Sequence, residues 1–221
     1  MVQKVNHRGV RVSTYGQFCG VARALDVVGE RWTLLLVREL LVAPRRFTDL
    51  RAGLPGIAPN LLSRRLTALQ DAGVVERRLA DRGTVYALTP WGEELRGVVR
   101  ELVRWSTRTM SGGPAADDAF QPQWLAVALD ALLHDVRTAG PVTLALDADG
   151  WQGTVSAGPD GVVVTGGTAP DGRAADATLR APGPLLLGAA AGAVPLPRLL
   201  AAGTLTGDRT AVAAALGVLD A

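Results

Sequence analysis

Several residue types and patterns are scarce in this chain of 221 residues, and each scarcity excludes something. There is one cysteine, Cys19, so no intrachain disulfide can form, which suits the reducing cytoplasm. The only histidines, His7 and His134, lie far apart in sequence. With a single cysteine they make no His/Cys ligand cluster, so no metal or other cofactor is expected. There is one lysine, Lys4, so the positive charge is almost all arginine. Arginine suits forked contacts to phosphate and guanine, and a GC-rich coding bias gives the same composition. No apolar run reaches the ~20 residues of a membrane span. The least polar stretch, 181–197, is broken by Pro182, Pro184 and Pro195, and the N-terminus lacks the apolar core of a signal peptide. No glycine-rich phosphate loop leads from a strand into a helix, and no Ser/His/acid set stands out, so an enzyme is not expected.

The net charge of +2 conceals an asymmetry. Residues 1–113 carry 18 Lys+Arg against 10 Asp+Glu, a balance of +8, and residues 114–221 carry 5 against 11, a balance of −6. A basic half joined to an acidic half predicts that only the first meets a polyanion.

Residues 1–14 read as a disordered or partner-contacting arm. From about Phe18, Val21, Leu25 and Val28 recur at helical spacing up to Gly29. GERWTLLLVRELLVAP is apolar on most sides and predicts a central helix, stopped by Pro44. RRFTDLRAGL is a short third helix with Phe47 and Leu50 inward. The next stretch, GIAPNLLSRRLTALQDAG, organises this half. Pro59 suits a first helical turn, Leu62, Leu66 and Leu69 define one apolar face, and Gly73 ends the helix. Asn60, Ser63, Arg64 and Thr67 then fall on the other face, with Arg65 on the flank. After Gly73 the period changes, and VVERRLADRGTVYALTP predicts two strands joined at Asp81-Arg82-Gly83. Thr89 caps a helix predicted from Pro90 through Trp105, whose long apolar stripe exceeds the needs of a small core.

Three helices, a recognition-type helix and a hairpin with a basic tip, then a last helix, form a winged helix-turn-helix. In such a fold one helix enters the major groove, the helix before it braces the backbone, and the hairpin lies along a neighbouring groove. Arg64 is the candidate for a fork onto guanine, and Asn60, Ser63 and Thr67 offer further groups to base edges. Arg65 is assigned to a phosphate, Arg45 and Arg46 to phosphates beside the bracing helix, and Arg82 to the minor groove or a phosphate. A solvated surface role stays open for each of them. Cys19 stands at a helix start, where a thiol's pKa falls and it becomes more reactive, so it is a candidate redox sensor. Its alternative is a small buried hydrophobe beside Val21 and Leu25.

Residues 19–105 resemble the HxlR family of bacterial winged-helix transcription regulators, relatives of the MarR type. Cys19, ALDVVGERWTLLLVREL, RRFTDLRAGLPGIAPNLLSRRLTALQDAGVVERR and VYALTPWGEEL carry the resemblance. It implies a homodimer built on the first and last helices and bound to a pseudo-palindromic operator in double-stranded DNA. It also implies a use for Cys19, since some relatives sense oxidants or electrophiles with a cysteine near that place.

The second half follows a Gly/Pro/Ala-rich linker, 114–123. The domains expected are thus a winged helix-turn-helix over 1–113, with its core at 18–107, and an α+β domain over 124–221. WLAVALDALLHDVR is an amphipathic helix; PVTLALD, WQGTVSAG, GVVVTG and DATLRA are strand candidates. Two Ala/Leu-rich helical segments, a short stretch TLTGD and a last helix from Asp208 complete the chain. The fold class expected here is α+β, a small, largely antiparallel sheet covered by helices. The run from DATLRA to AVAAAL resembles the closing half of sterol carrier protein-like domains. That resemblance implies an apolar tunnel between sheet and helices and a small apolar ligand in it. A purely structural or dimer-stabilising domain is the alternative.

The sequence therefore predicts a cytoplasmic, dimeric, DNA-binding transcriptional regulator responsive to a ligand or to redox state. The rival is a lipid- or hydrophobic-ligand-binding protein whose winged helix serves dimerisation or protein contact.

Overall fold

Residues 2–5, 11–81, 83–110, 113–169 and 171–218 are described in the computed structural model of the protein. The chain divides into two units, Met1–Leu95 and Arg96–Ala221.

The first unit opens with β1 (Val2–Val5) and β2 (Arg11–Thr14), an antiparallel pair in the stretch expected from sequence to be a disordered or partner-contacting arm. Each strand is four residues long, too short for its period to register as a pattern. Then come α1 (Gly20–Val28), α2 (Thr33–Val42), α3 (Phe47–Gly53) and α4 (Pro59–Asp71). The wing is β3 (Val75–Ala80) paired antiparallel with β4 (Gly83–Leu88), and α5 (Pro90–Glu93) follows it. The apolar helix α2 lies at the centre, with Leu36, Val37 and Leu40 buried. Leu62, Leu66 and Leu69 of α4 are 0%, 1% and 1% exposed. Burying each leucine side chain contributes about 1.5–3 kcal/mol, and together they fix which way α4 faces.

The end of α4 shows how closely the unit is joined. Gly73 has φ +78°, the left-handed conformation that glycine adopts without steric cost. Its N–H donates to the Gln70 carbonyl at 3.0 Å, and the Val74 N–H donates to the Leu69 carbonyl at 2.9 Å. This Schellman pairing satisfies carbonyls that the helix end would leave open and turns the chain into β3. The Val74 carbonyl in turn accepts from the Thr89 N–H at 3.0 Å, and Thr89 Oγ1 accepts from the Gly92 N–H at 3.1 Å, capping α5. The single helix expected over Pro90–Trp105 is instead α5 and α6 (Leu95–Ser106), separated at Glu94, which keeps helical backbone angles.

In the second unit α6 precedes α7 (Trp124–Leu132). Arg100 of α6 donates to Asp130 at 3.2 Å, and Arg104 pairs with Asp135 at 2.6 Å, a contact that holds the Asp135 carboxyl below its usual value. The sheet comprises β5 (Val142–Ala148), β6 (Trp151–Gly158), β7 (Gly161–Gly166), β8 (Ala177–Arg180) and β9 (Thr204–Gly207). Helices α8 (Gly183–Ala190) and α9 (Leu196–Ala201) connect β8 to β9, and α10 (Arg209–Leu216) follows. The strand order is β7-β6-β5-β8-β9, with β5 and β8 parallel and every other pairing antiparallel. The α+β expectation is met, with a fifth strand at TLTG that the sequence reading left as a short connecting stretch.

One cluster fills the space between sheet and helices, with Leu125, Leu129, Leu133, Leu144, Leu179 and Leu186 fully buried. The apolar tunnel expected there is thus occupied by the protein's own leucines. Two depressions lie at the surface of this unit. One, of about 460 Å³, is bordered by Asp147, Asp149 and Arg180; the other, of about 560 Å³, by Leu132, Val136, Ala213 and Val218. Among the described residues no helix is long and apolar enough to cross a membrane.

Gly92 is a sensitive point of the first unit, because a Cβ there would collide with the Val74 carbonyl oxygen. Gly92→Ala gains at most about 1 kcal/mol of helix propensity and incurs an overpacking penalty of about 1–3 kcal/mol. Net destabilisation is expected, read as a lower thermal midpoint. A midpoint equal to wild type would show that α5 moves away from β3 without cost.

Candidate nucleic-acid interface

Helix α4 is presented by its neighbours. Pro59 sits at its first turn, where the missing N–H leaves no bond unmade, and the Ala58 carbonyl accepts from Leu61 and Leu62 at 2.9 and 3.0 Å. With the three leucines inward, Asn60, Ser63, Arg64 and Thr67 are all exposed on the opposite face. They offer an amide, two hydroxyls and a guanidinium to solvent on consecutive turns of one rod.

Arg65 is placed differently. Its side chain is 19% exposed. Its Nη2 donates to Glu30 Oε2 at 2.6 Å and its Nε to the Arg31 carbonyl at 3.1 Å. The phosphate contact expected of it therefore competes with an internal ion pair across 35 residues of sequence.

Helix α3 has Arg46 as its N-cap, whose backbone N–H donates to Asp49 Oδ2 at 3.3 Å. Arg45 joins the wing. Its N–H donates to the Tyr86 carbonyl at 2.9 Å and its carbonyl accepts from the Tyr86 N–H at 2.7 Å. Tyr86 is also the register partner of Arg77 on β3, and the Arg77 guanidinium lies 5.5 Å from the Tyr86 ring centroid. Register therefore sets Arg45, Tyr86 and Arg77 in one row across the wing. Arg45 Nε is buried and has no hydrogen-bond partner among the described residues. Arg78, one residue on, is held by Glu76, with Nε donating to Oε1 at 2.7 Å. Leu79 beyond it is 90% exposed. Arg82, the tip residue assigned to the minor groove or a phosphate, lies outside the described residues.

Sequence reasoning missed the Arg45–Tyr86–Arg77 row and the Glu30 partner of Arg65. The first had no local sign, since Pro44 stops α2 and holds Ala43 extended but does not mark Arg45 as a partner of Tyr86. The second had none, because nothing local marks a pairing at that separation.

Deeper in the unit, Glu39 of α2 is buried and takes the Arg38 guanidinium at 2.7 Å. Burial pushes Arg38 below its usual pKa, opposed by the bond and charge of Glu39. A Cβ on Gly53 would meet the Glu39 carboxylate at 2.6 Å, so glycine there lets α3 approach α2.

Cys19 occupies the N-cap position of α1 and is exposed. The backbone N–H groups of Ala22 and Val21 lower its thiol pKa, although the sulfur makes no capping hydrogen bond of ordinary geometry. Its burial as a small hydrophobe is therefore set aside. Two apolar patches are also exposed. Phe18, Val21 and Leu25 form one on and beside α1; Val98, Leu102 and Trp105 form the other on α6.

Comparison with known proteins follows the same segment. A family model described as HxlR-like helix-turn-helix matches residues 27–113. The uncharacterized HTH-type transcriptional regulator YvaP of Bacillus subtilis is 35% identical over 88 residues, which are 38% of this chain and 82% of YvaP. The HTH-type transcriptional regulator YodB of the same organism is 30% identical over 93 residues, 41% of this chain and 83% of YodB. The crystal structure of quinone-bound YodB from B. subtilis aligns at 30% identity with a TM-score of 0.36, covering 40% of this chain and 96% of that one.

The lowered thiol pKa of Cys19 sets a measurable pH profile. The thiolate is the reactive form, so alkylation by iodoacetamide is expected to reach half its maximal rate at a lower pH than for a free cysteine peptide. A profile superimposable on the peptide's would show that the helix start has no effect on the sulfur.

Proposed function

The chain belongs, through its first half, to the HxlR-like helix-turn-helix family, and we propose that it is a dimeric, cytoplasmic DNA-binding transcriptional regulator rather than an enzyme. The observation that carries this reading is α4, whose leucines are sealed inward while Asn60, Ser63, Arg64 and Thr67 stand free. Side chains of these types hydrogen-bond base edges in the major groove, and Arg64 forks onto the paired acceptors of guanine. Phosphate contacts come from Arg45 and Arg46, and from the wing through Arg77 and Arg82. The balance of +8 over residues 1–113 supplies the sequence-independent attraction, so affinity falls steeply as salt rises.

Two copies reading one pseudo-palindromic operator explain the exposed apolar residues of α1 and α6, which a monomer leaves in water. Cys19 is the proposed redox input, because an exposed thiol with a lowered pKa is the kind that oxidants and electrophiles reach first. Ligand control through the second unit has the surface groove beside Leu132, Val136, Ala213 and Val218 as its place. The domain limits of 1–113 and 124–221 are proposed as functional ones, reader and effector. Either input acts only by binding or modifying one spacing of the two α4 helices in preference to another.

The reading is tested by mobility shift and footprinting with genomic fragments, followed by Arg64→Ala. That substitution is expected to cost about 1–3 kcal/mol on the selected operator and to relax base preference at one position in each half-site. An equal loss on operator and unrelated DNA would overturn the assignment of Arg64 to a base.

A further inference from the structure

Arg64 and Arg65 are neighbours with different surroundings. Arg64 is exposed, whereas Arg65 turns back along α4 towards the corner between α1 and α2. That corner is tightly built. Gly29 lies so close to the last turn of α1 that a Cβ would meet the Leu25 carbonyl at 2.5 Å. Trp32 has φ +78°, a left-handed conformation that costs a bulky residue about 1–3 kcal/mol and is held only where its surroundings impose it. The Thr33 N–H donates to the Glu30 carbonyl at 3.1 Å and the Leu36 N–H to the Trp32 carbonyl at 2.9 Å. The Trp32 indole reaches the turn before α4, where a Cβ on Gly56 would lie 3.7 Å from Trp32 Cη2. Arg65 therefore meets a stiff main-chain corner, from which the Glu30 side chain, 66% exposed, extends to it. Its guanidinium is held at two points, by the Glu30 carboxylate and by the Arg31 carbonyl.

We propose that Glu30 and Arg65 form a clamp that sets the angle of α4, so that Arg65 is a positioning residue and not a phosphate contact. The inference rests on the DNA-binding reading and assigns a task within it. An isolated surface ion pair contributes little, because water competes for both partners. This pair differs because Arg65 is mostly buried and its second bond goes to main chain. One main-chain carbonyl and one carboxylate on a single planar group hold its orientation as well as its distance. The clamp lies on the flank of α4 beside Arg64, so a small rotation of α4 there displaces the Arg64 fork from its guanine.

The two roles for Arg65 predict opposite effects of its partner. If Arg65 met phosphate, Glu30 would be a nearby negative charge repelling the duplex, and Glu30→Gln would tighten binding. As one half of a clamp, Glu30→Gln is expected to weaken operator binding roughly threefold to fivefold, the range of a good partly exposed pair. Arg65→Gln is expected to weaken it similarly while leaving the slope of log affinity against log salt unchanged. A lost phosphate contact would lower that slope by about 0.9. Hydrogen exchange along residues 59–71 of the free protein decides the clamp without DNA, since either single variant should speed it. Thermal midpoints confirm that each variant is folded. Unchanged exchange, a slope reduced by about 0.9 in Arg65→Gln, or tighter binding by Glu30→Gln overturns the proposal. A wild type that binds no duplex overturns the regulator reading instead and leaves the exchange result to decide the clamp.

Discussion

Burial of Leu62, Leu66 and Leu69 is the constraint on which the interface depends. These three side chains fix the rotation of α4 about its own axis, and the rotation decides which residues stay in water. A helix turned by a third of a circle would bury Arg64 and expose leucine, at a desolvation cost no surface contact could offset. The same leucines make the unit fold, so the reading face is a by-product of the core and needs no separate stabilisation. What the leucines do not fix is the tilt of the rod, and that is where contacts on its flank enter.

The parts of the chain that were legible from sequence share one property: their determinants are local. Pro59, the leucine spacing and Gly73 all act within 15 residues, and α4 runs as they dictate. Thr89 at its cap is another case. The features that escaped are set by partners far along the chain. Arg65 is basic, on the flank of α4, and its sequence context gives no hint that Glu30 takes it. Strand β9 is four residues long and exists because β8 offers an edge for it, which its sequence alone does not announce. The parallel pairing of β5 and β8 likewise follows from a crossover that brings β8 to the far side of β5. In the exposed face of α4 the residue positions were readable; in the wing, the row through Arg45 was not.

The second unit shows how composition can mislead about volume. Alanine and glycine supply eight of the eighteen residues from 185 to 202, and small side chains suggest room for a guest. The room is taken by leucines arriving from α7, β5, β8 and α8, each with little or no exposed surface. Packing density in such a core approaches that of an organic crystal, so small residues on one element are matched by large ones on another. The acidic balance of this unit also separates it from the polyanion that the first unit suits.

The residue with the most structural consequence for motion is Val74. Its N–H closes the end of α4, its carbonyl receives the start of α5, and β3 begins at the next residue. Helix α4, the wing and α5 are therefore joined through one residue. Bending one of them against the others breaks a hydrogen bond at Val74. The separation of α4 from the wing is then set at Val74, a fixed gauge between the two elements.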